Sequence, residues 1–368
     1  MSDSQHRKPI QKIIFGSPGT GKSYRVREMA KELGLPWDET TKSPANTLKT
    51  VFHPEYTYAD FVGKLLPQTT GSGSVIYKFY EGHFLRSLGW AYRQLLDGTN
   101  ENVLLVIDEL NRGNAAAIFG LVFQLLDREE DHWSTYEIHL SELEIVGLLK
   151  AMQYKASTTH ESIQVDGSNF EKFCELTEKE LAFKNNAEGL RILKNLREHK
   201  IALPRNLSIL ATINTSDESI YYLDSAFKRR WDWEYVDVPG SKFSGDVPDK
   251  IKAAKVVVGE TQVNWSDFVI QLNEFIKSNH QAIRRIEDKQ IGWWFLKPED
   301  NEISESAIKN KLMFYLWDSV FAKDRRPLES LLSQNGKSVK LITYSQFVAL
   351  AEDFVKQIIA LDFDKVAF

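Results

Sequence analysis

Residues 16–23 read Gly16-Ser17-Pro18-Gly19-Thr20-Gly21-Lys22-Ser23, and they restrict the fold more than any other part of the chain. The run satisfies the pattern G-x-x-x-x-G-K-[ST] in full. It follows a short apolar strand at 12–15 and opens a helix that periodicity extends over 22–33. Strand, glycine-rich turn and helix in that order make a cradle for phosphate. Backbone N–H groups converge on the phosphate oxygens, and the helix N-terminus adds its dipole. Lys22 is suited to reach the β and γ phosphates, and Ser23 to hold Mg²⁺ through its hydroxyl. A glycine-rich turn matching by chance would lack both flanking elements.

A second motif completes the first. Asn102–Ile107 is an almost wholly apolar run that ends in Asp108 and Glu109. Such a run reads as a buried parallel strand delivering two acids to the edge of a sheet. Asp108 can join the Mg²⁺ shell and Glu109 can polarise an attacking water. Taken alone, the pair would read equally well as a solvated strand end. Two further segments gain meaning beside these. The apolar strand 207–213 ends in Asn214-Thr215-Ser216-Asp217, where a polar residue can position water or touch the γ-phosphate. Asn and Asp also favour strand ends as simple caps. Leu223–Trp231 closes a short helix on Lys228, Arg229 and Arg230. Basic residues suit a helix C-terminus in any protein, and an arginine finger is the functional alternative.

Strands alternating with helices predict an α/β fold, a parallel sheet covered on both faces. The expected strands are 12–15, 47–52, 102–107, 207–213 and 235–238, with helices at 82–96 and 114–126 and a loop at 67–75. Residues 139–200 are too long for a connection between core strands. Their charge and helical patterning read as an inserted helical subdomain serving as a contact module. Beyond residue 245 strand signals are few, and 263–277, 306–321 and 345–361 read as helices. The expected domains are 1–245, with the insertion at about 139–200, and a C-terminal α-helical domain at 246–368.

Composition excludes several classes. A net charge of -5 gives no global basic balance for nucleic acid. A single cysteine, Cys174, cannot form an internal disulfide and fits a reducing, cytoplasmic compartment. No apolar run reaches the ~18 residues of a membrane span, so no membrane role is expected. His53 and His83 lack metal-ligand spacing. Lys194, Arg197, His199 and Lys200 read as a solvated helix face. Of nine tryptophans, six follow residue 230, so they are expected in a core or an interface more than in a base-stacking platform.

With these segments placed, the chain resembles the AAA+ superfamily and, within it, the McrB-type motor subunits of modification-dependent restriction systems. Asp108-Glu109-Leu110-Asn111-Arg112-Gly113-Asn114 is similar to that family's D-E-I-N-R-[AG]-N. Phe52–Phe61, Ile213–Asp217, Asp224–Trp231 and Gln290–Leu296 are similar to its other segments, the last resembling I-G-x-x-[YF]-F of a helical lid. The family's M-N-T-A-D-R-S is replaced here by Ile213-Asn214-Thr215-Ser216-Asp217-Glu218-Ser219. The resemblance implies hydrolysis of GTP or ATP with Mg²⁺ in a homo-oligomeric, commonly hexameric, ring. It implies a partner nuclease of the McrC kind, with DNA engaged through the complex. It makes Asn214 the sensor residue, Asp217 part of the nucleotide site, and Arg229 or Arg230 the finger. GTP is the expected base choice. A MoxR-like ATPase that remodels protein complexes shares the Asn-Arg-Gly-Asn run, and a slow nucleotide-sensing scaffold is a third reading. The Phe52–Phe61 and Asn214–Asp217 segments favour the McrB type over the second. The full set Lys22, Ser23, Asp108, Glu109 and Arg229/Arg230 argues against the third.

Overall fold

The computed structural model describes residues 8–69, 71, 73–159, 162–214, 221–240, 246–333 and 338–362. By its contacts the chain divides into two units. One holds residues 1–14, 23–213 and 219–234, the other 15–22, 214–218 and 235–368.

The first unit is organised by a five-stranded sheet with two almost wholly buried strands near its middle. Its strands are β1 (Gln11–Gly16), β2 (Thr47–Val51), β5 (Val103–Asp108), β9 (Leu207–Asn214) and β10 (Asp232–Tyr235), in the order β10-β1-β9-β5-β2. β5 is parallel to both neighbours, with Ala211 opposite Ile107 and Val51 opposite Asp108. Every residue of β5 before Asp108, and every residue of β9 before Asn214, is buried. β-branched and leucine side chains on both faces suit a strand covered on both sides. The last strand lies at 232–235, a few residues before the expected 235–238. The cause is pairing at the sheet edge, where Glu234 binds Lys12 of β1 at 2.9 Å.

Helix α1 (Lys22–Glu32) follows β1, and α2 (Tyr58–Phe61) follows β2 behind a capping box of Thr57 and Asp60. Then comes a hairpin, β3 (Gly63–Thr69) with β4 (Val75–Glu81), where a loop at 67–75 was expected. Leu65, Leu66, Val75, Ile76, Tyr77 and Tyr80 are all exposed, so neither strand has the period-two burial that would have announced it. Helix α3 (His83–Leu96) does have a helical stripe, Phe84, Leu85, Leu88, Ala91, Tyr92 and Leu95, and all of it is buried. After β5 the chain makes the short helix α4 (Ala115–Phe119), capped by Asn114.

Residues 139–200 hold short strands as well as the expected helices, and they pack within the first unit. Helices α5 (Glu142–Ala151), α6 (Phe170–Phe183) and α7 (Ala187–Arg197) are joined by a small antiparallel sheet, β6 (Ala156–Thr158), β7 (Ile163–Val165) and β8 (Ser168–Asn169). α5 packs so closely on α3 that a Cβ on Gly89 would stand 2.5 Å from the Ala151 Cβ. Asn186 donates to the Leu95 carbonyl at 2.7 Å, and Glu188 accepts from Trp133 at 2.8 Å and Arg205 at 2.7 Å. The segment thus completes the first unit's core. Of its basic residues, Arg197 pairs with Glu178 and Lys200 with Glu198.

The first unit closes with α8 (Ser225–Lys228) ahead of β10, and the second unit has its own core around α9 (Trp265–Ser278), whose Trp265, Phe268, Val269, Leu272 and Ile276 are fully buried. A small sheet of β11 (Lys255–Val258), β12 (Thr261–Asn264) and β13 (Glu302–Ile303) joins the expected helices. The helical run at 305–320 contains π-helical stretches at Ile308–Met313 and Leu316–Val320. Among the described residues no helix is long and apolar enough to cross a membrane.

Two polar side chains, the half-buried Arg128 and the fully buried Tyr92, tie the first unit together. Arg128 donates to the carbonyls of His132, Pro204 and Leu207, and burial pushes its guanidinium down to about 10. The Tyr92 hydroxyl donates to the Ala202 carbonyl at 2.7 Å and accepts from the Ala202 N–H at 3.0 Å, and burial raises its pKa. Tyr92→Phe therefore strands two buried backbone groups. It is expected to cost about 1–3 kcal/mol in a urea titration, since unmade buried hydrogen bonds carry that penalty.

Candidate functional site

The phosphate loop belongs to the second unit. Its turn needs residues without a Cβ: Gly19 and Gly21 take φ values of 76° and 98°. Lys22 is buried, and its ammonium donates to the carbonyls of Gly16 at 2.9 Å and Ser17 at 3.0 Å. The Thr20 hydroxyl donates to the Ser17 carbonyl at 3.0 Å. Ser23, in the first unit, is exposed on the first turn of α1.

The acid pair belongs to the first unit and is shaped by β9. Asp108 ends β5 and Glu109 follows in a left-handed conformation, φ 55° and ψ 44°. That conformation costs a non-glycine residue about 1–3 kcal/mol and is kept where the surroundings fix it. Here Thr212 of the neighbouring strand fixes it. Its buried hydroxyl donates to Asp108 Oδ1 at 3.0 Å and accepts from the Glu109 N–H at 3.3 Å. One side chain therefore sets the carboxylate of one acid and the backbone of the next. The hydroxyl thereby holds Asp108 through its Oδ1.

Thr212 was missed in the sequence. Its signal was a polar residue inside an apolar strand, where a buried hydroxyl must have partners. Asn214 is the last residue of β9. Asp217 lies outside the described residues.

Two of the segments that carry the family resemblance, 52–61 and 224–231, meet Phe119 in one aromatic cluster. Phe52 stacks on Tyr56 with ring centroids 4.9 Å apart and meets Phe61 edge-on at 5.7 Å. Phe119 then joins Phe61 at 4.9 Å, Phe227 at 5.4 Å and Trp231 at 6.1 Å. The two adjacent arginines beside this cluster have different surroundings. Arg230 pairs with Asp127 at 2.7 Å, lies 4.0 Å over the Phe123 ring and donates to the Ala226 carbonyl. Arg229 is exposed, and among the described residues no ion pair holds it. Cys174 is inert by the same reasoning: burial pushes its thiol up to about 11, far from the thiolate a nucleophile needs.

A family profile for the AAA domain (dynein-related subfamily) matches residues 11–163. The chain is 30% identical over 336 residues to the type II restriction enzyme BsuMI component YdiS of Bacillus subtilis, covering 85% of this chain and 80% of that protein. It is 22% identical over 234 residues to the type IV methyl-directed restriction enzyme EcoKMcrB subunit of Escherichia coli, covering 62% of this chain and 35% of that protein. The solved structure of C. elegans PCH-2 aligns with 95% of this chain and 62% of its own at 12% identity, with a TM-score of 0.23, at which no argument rests on it.

Thr212→Val removes the bridging hydroxyl at nearly constant volume. Nucleotide hydrolysis is expected to fall about 10–100-fold, the usual cost of losing a partner that orients a metal ligand. Thr212→Ser should retain most of it, and circular dichroism should show both variants folded.

Proposed function

The chain belongs to the McrB-like AAA+ proteins, and on that premise we propose that it is the nucleotide-driven motor of a DNA restriction complex. The observation that carries the reading is the 30% identity to YdiS over 85% of this chain. That likeness extends well past the AAA domain match at 11–163.

In the proposed reaction the backbone amides of Gly16, Ser17, Pro18, Gly19, Thr20, Gly21, Lys22 and Ser23, proline excepted, cradle the phosphates. The Lys22 ammonium neutralises the β and γ oxygens. Asp108 and the Ser23 hydroxyl are hard oxygen donors of the kind Mg²⁺ takes. Among the described residues no cluster of three or more His, Cys, Asp or Glu could hold a metal alone. Mg²⁺ is commonly bound by one or two carboxylates together with substrate phosphates, and these residues fit that donor set. Bound there, the ion supplies charge neutralisation at the phosphoryl group. Glu109 polarises the attacking water, Asn214 orients it, and Asp217 completes the nucleotide site.

GTP is the proposed substrate, with ATP the alternative that competition binding decides. The proposed assembly is a cytoplasmic homo-oligomeric ring, a hexamer by family resemblance, partnered by a McrC-like nuclease that cuts DNA. Arg229 is the proposed finger for a neighbouring subunit's γ-phosphate. Arg230 supports it from within the fold, because its charge is already spent on Asp127 and its plane on Phe123.

Turnover of GTP and ATP, measured alone and with DNA and a McrC-like nuclease, tests the role. Stimulation accompanied by DNA cleavage is expected. Turnover indifferent to both partners would overturn the restriction role and leave a protein-remodelling ATPase of the MoxR kind. Glu109→Gln should keep nucleotide binding and lose about 10²–10⁴ in turnover. Arg229→Ala should lose about 10³–10⁵ without losing stability. Arg230→Ala should instead lower the melting temperature, because it leaves Asp127 unpaired. Mixing Glu109→Gln with Arg229→Ala should restore part of the activity, since some interfaces then hold both intact groups.

A further inference from the structure

The segment Glu287–Phe295 runs between the phosphate loop and helix α9, all within the second unit, and it is bonded to both. Toward the loop, the Gly292 N–H donates to the Pro18 carbonyl at 2.9 Å and the Trp294 N–H to the Gly19 carbonyl at 2.8 Å. The buried Ser17 hydroxyl donates to the Glu287 carbonyl at 2.5 Å. Toward α9, the intervening residues are held. The fully buried Asn273 side chain accepts from the Ile291 N–H at 2.9 Å and donates to the Ile291 carbonyl at 2.8 Å. The Trp265 indole N–H donates to the Trp293 carbonyl at 2.9 Å. Neighbouring residues of this segment thus bond opposite partners, the loop for 292 and 294 and the helix for 291 and 293.

The approach is backbone against backbone. A Cβ on Gly292 would overlap the Gly19 carbonyl and the Thr20 amide nitrogen, and a Cβ on Gly19 would overlap the Phe295 amide nitrogen. Neither obstacle is a flexible side chain that could turn away. The Pro18 and Gly19 carbonyls are fixed by these donors. Each peptide plane is rigid, so fixing a carbonyl also aims the next residue's N–H. The N–H groups aimed in this way are those of Gly19 and Thr20, inside the phosphate cradle.

We propose that residues 287–295 form a strap that sets the shape of the phosphate loop from the α9 core, with Gly292 and Asn273 as positioning residues for nucleotide binding. The proposal rests on the reading of residues 16–23 as the nucleotide site. Neither residue touches the nucleotide in this account. Each acts through the loop's backbone.

The test is a binding titration of the full chain with GTP and with ATP in Mg²⁺, beside hydrogen exchange of the 16–22 amides. Gly292→Ala is expected to raise Kd by about tenfold or more, because displacing a binding group by about 1 Å costs up to about a hundredfold. KM should rise more than kcat falls, and exchange in 16–22 should accelerate while the melting temperature stays close to wild type. Asn273→Ala should act in the same direction. If Gly292→Ala does not fold, Trp265→Phe removes the bond to Trp293 while keeping an aromatic ring in the core, and a smaller rise in Kd is expected. A folded Gly292→Ala or Trp265→Phe protein with wild-type Kd and wild-type exchange in 16–22 overturns the strap. If the wild type binds neither nucleotide, or Lys22→Ala binds as well as wild type, the nucleotide reading itself falls and the strap with it.

Discussion

Val103–Ile107 is buried on both faces, and that burial governs what can follow it. No polar side chain can sit in this strand until the sheet ends, so charge first becomes affordable at Asp108 and Glu109. Burying either acid one residue earlier would put an unpaired carboxylate into the sheet interior, which proteins avoid by keeping buried charges paired. The strand's apolar character and the place of the acid pair are therefore one constraint. Thr212 satisfies its remaining demand. At the end of a parallel register that places Ala211 opposite Ile107, its hydroxyl meets the two groups that must not be left loose.

The aromatic cluster extends this rigidity through the first unit. Phe52 follows β2, Phe119 ends α4 and Phe227 lies in the helix Ser225–Lys228. All three are fully buried. Aromatic pairs in edge-on or offset contact contribute about 0.5–1.5 kcal/mol each beyond their buried area. Three sequence-distant segments are thereby held as one body. Arg230 is part of that body and Arg229 is not, a distinction that two adjacent arginines in a sequence do not reveal.

What was legible in the sequence follows from which signals burial leaves behind. The phosphate loop, β5, β9 and α3 were readable because glycine spacing, unbroken apolar runs and a helical stripe are local patterns. The part of the hairpin at 67–75 reads as a loop because the side chains on both its faces are exposed there. The sheet at 255–264 was missed because its strands are four residues long, too short for a period to register. The segment at 139–200 looked separable because its charge lies on the surface, while Gly89, Asn186 and Glu188 make their contacts across long sequence gaps. Thr212 left a weak local trace. The pairing of residues 291–294 with the loop and α9 left none, because it is made by backbone groups that every residue carries.

That last point bears on how the two sets of reactive groups are held. The loop residues 16–22 take their shape from bonds to Gly292, Trp294 and Glu287, all inside the second unit. The acid pair takes its shape from Thr212, inside the first. Neither set shares a partner with the other among these bonds. Perturbations that share no partner tend to add without coupling. In the proposed reaction, binding phosphate and activating water therefore draw on differently braced parts of the chain. A change in the strap should alter how tightly nucleotide is gripped, and a change at Thr212 should alter what happens to it once gripped. A reaction that needs both must draw on two independently braced structures, so its rate depends on each being rigid before the nucleotide arrives.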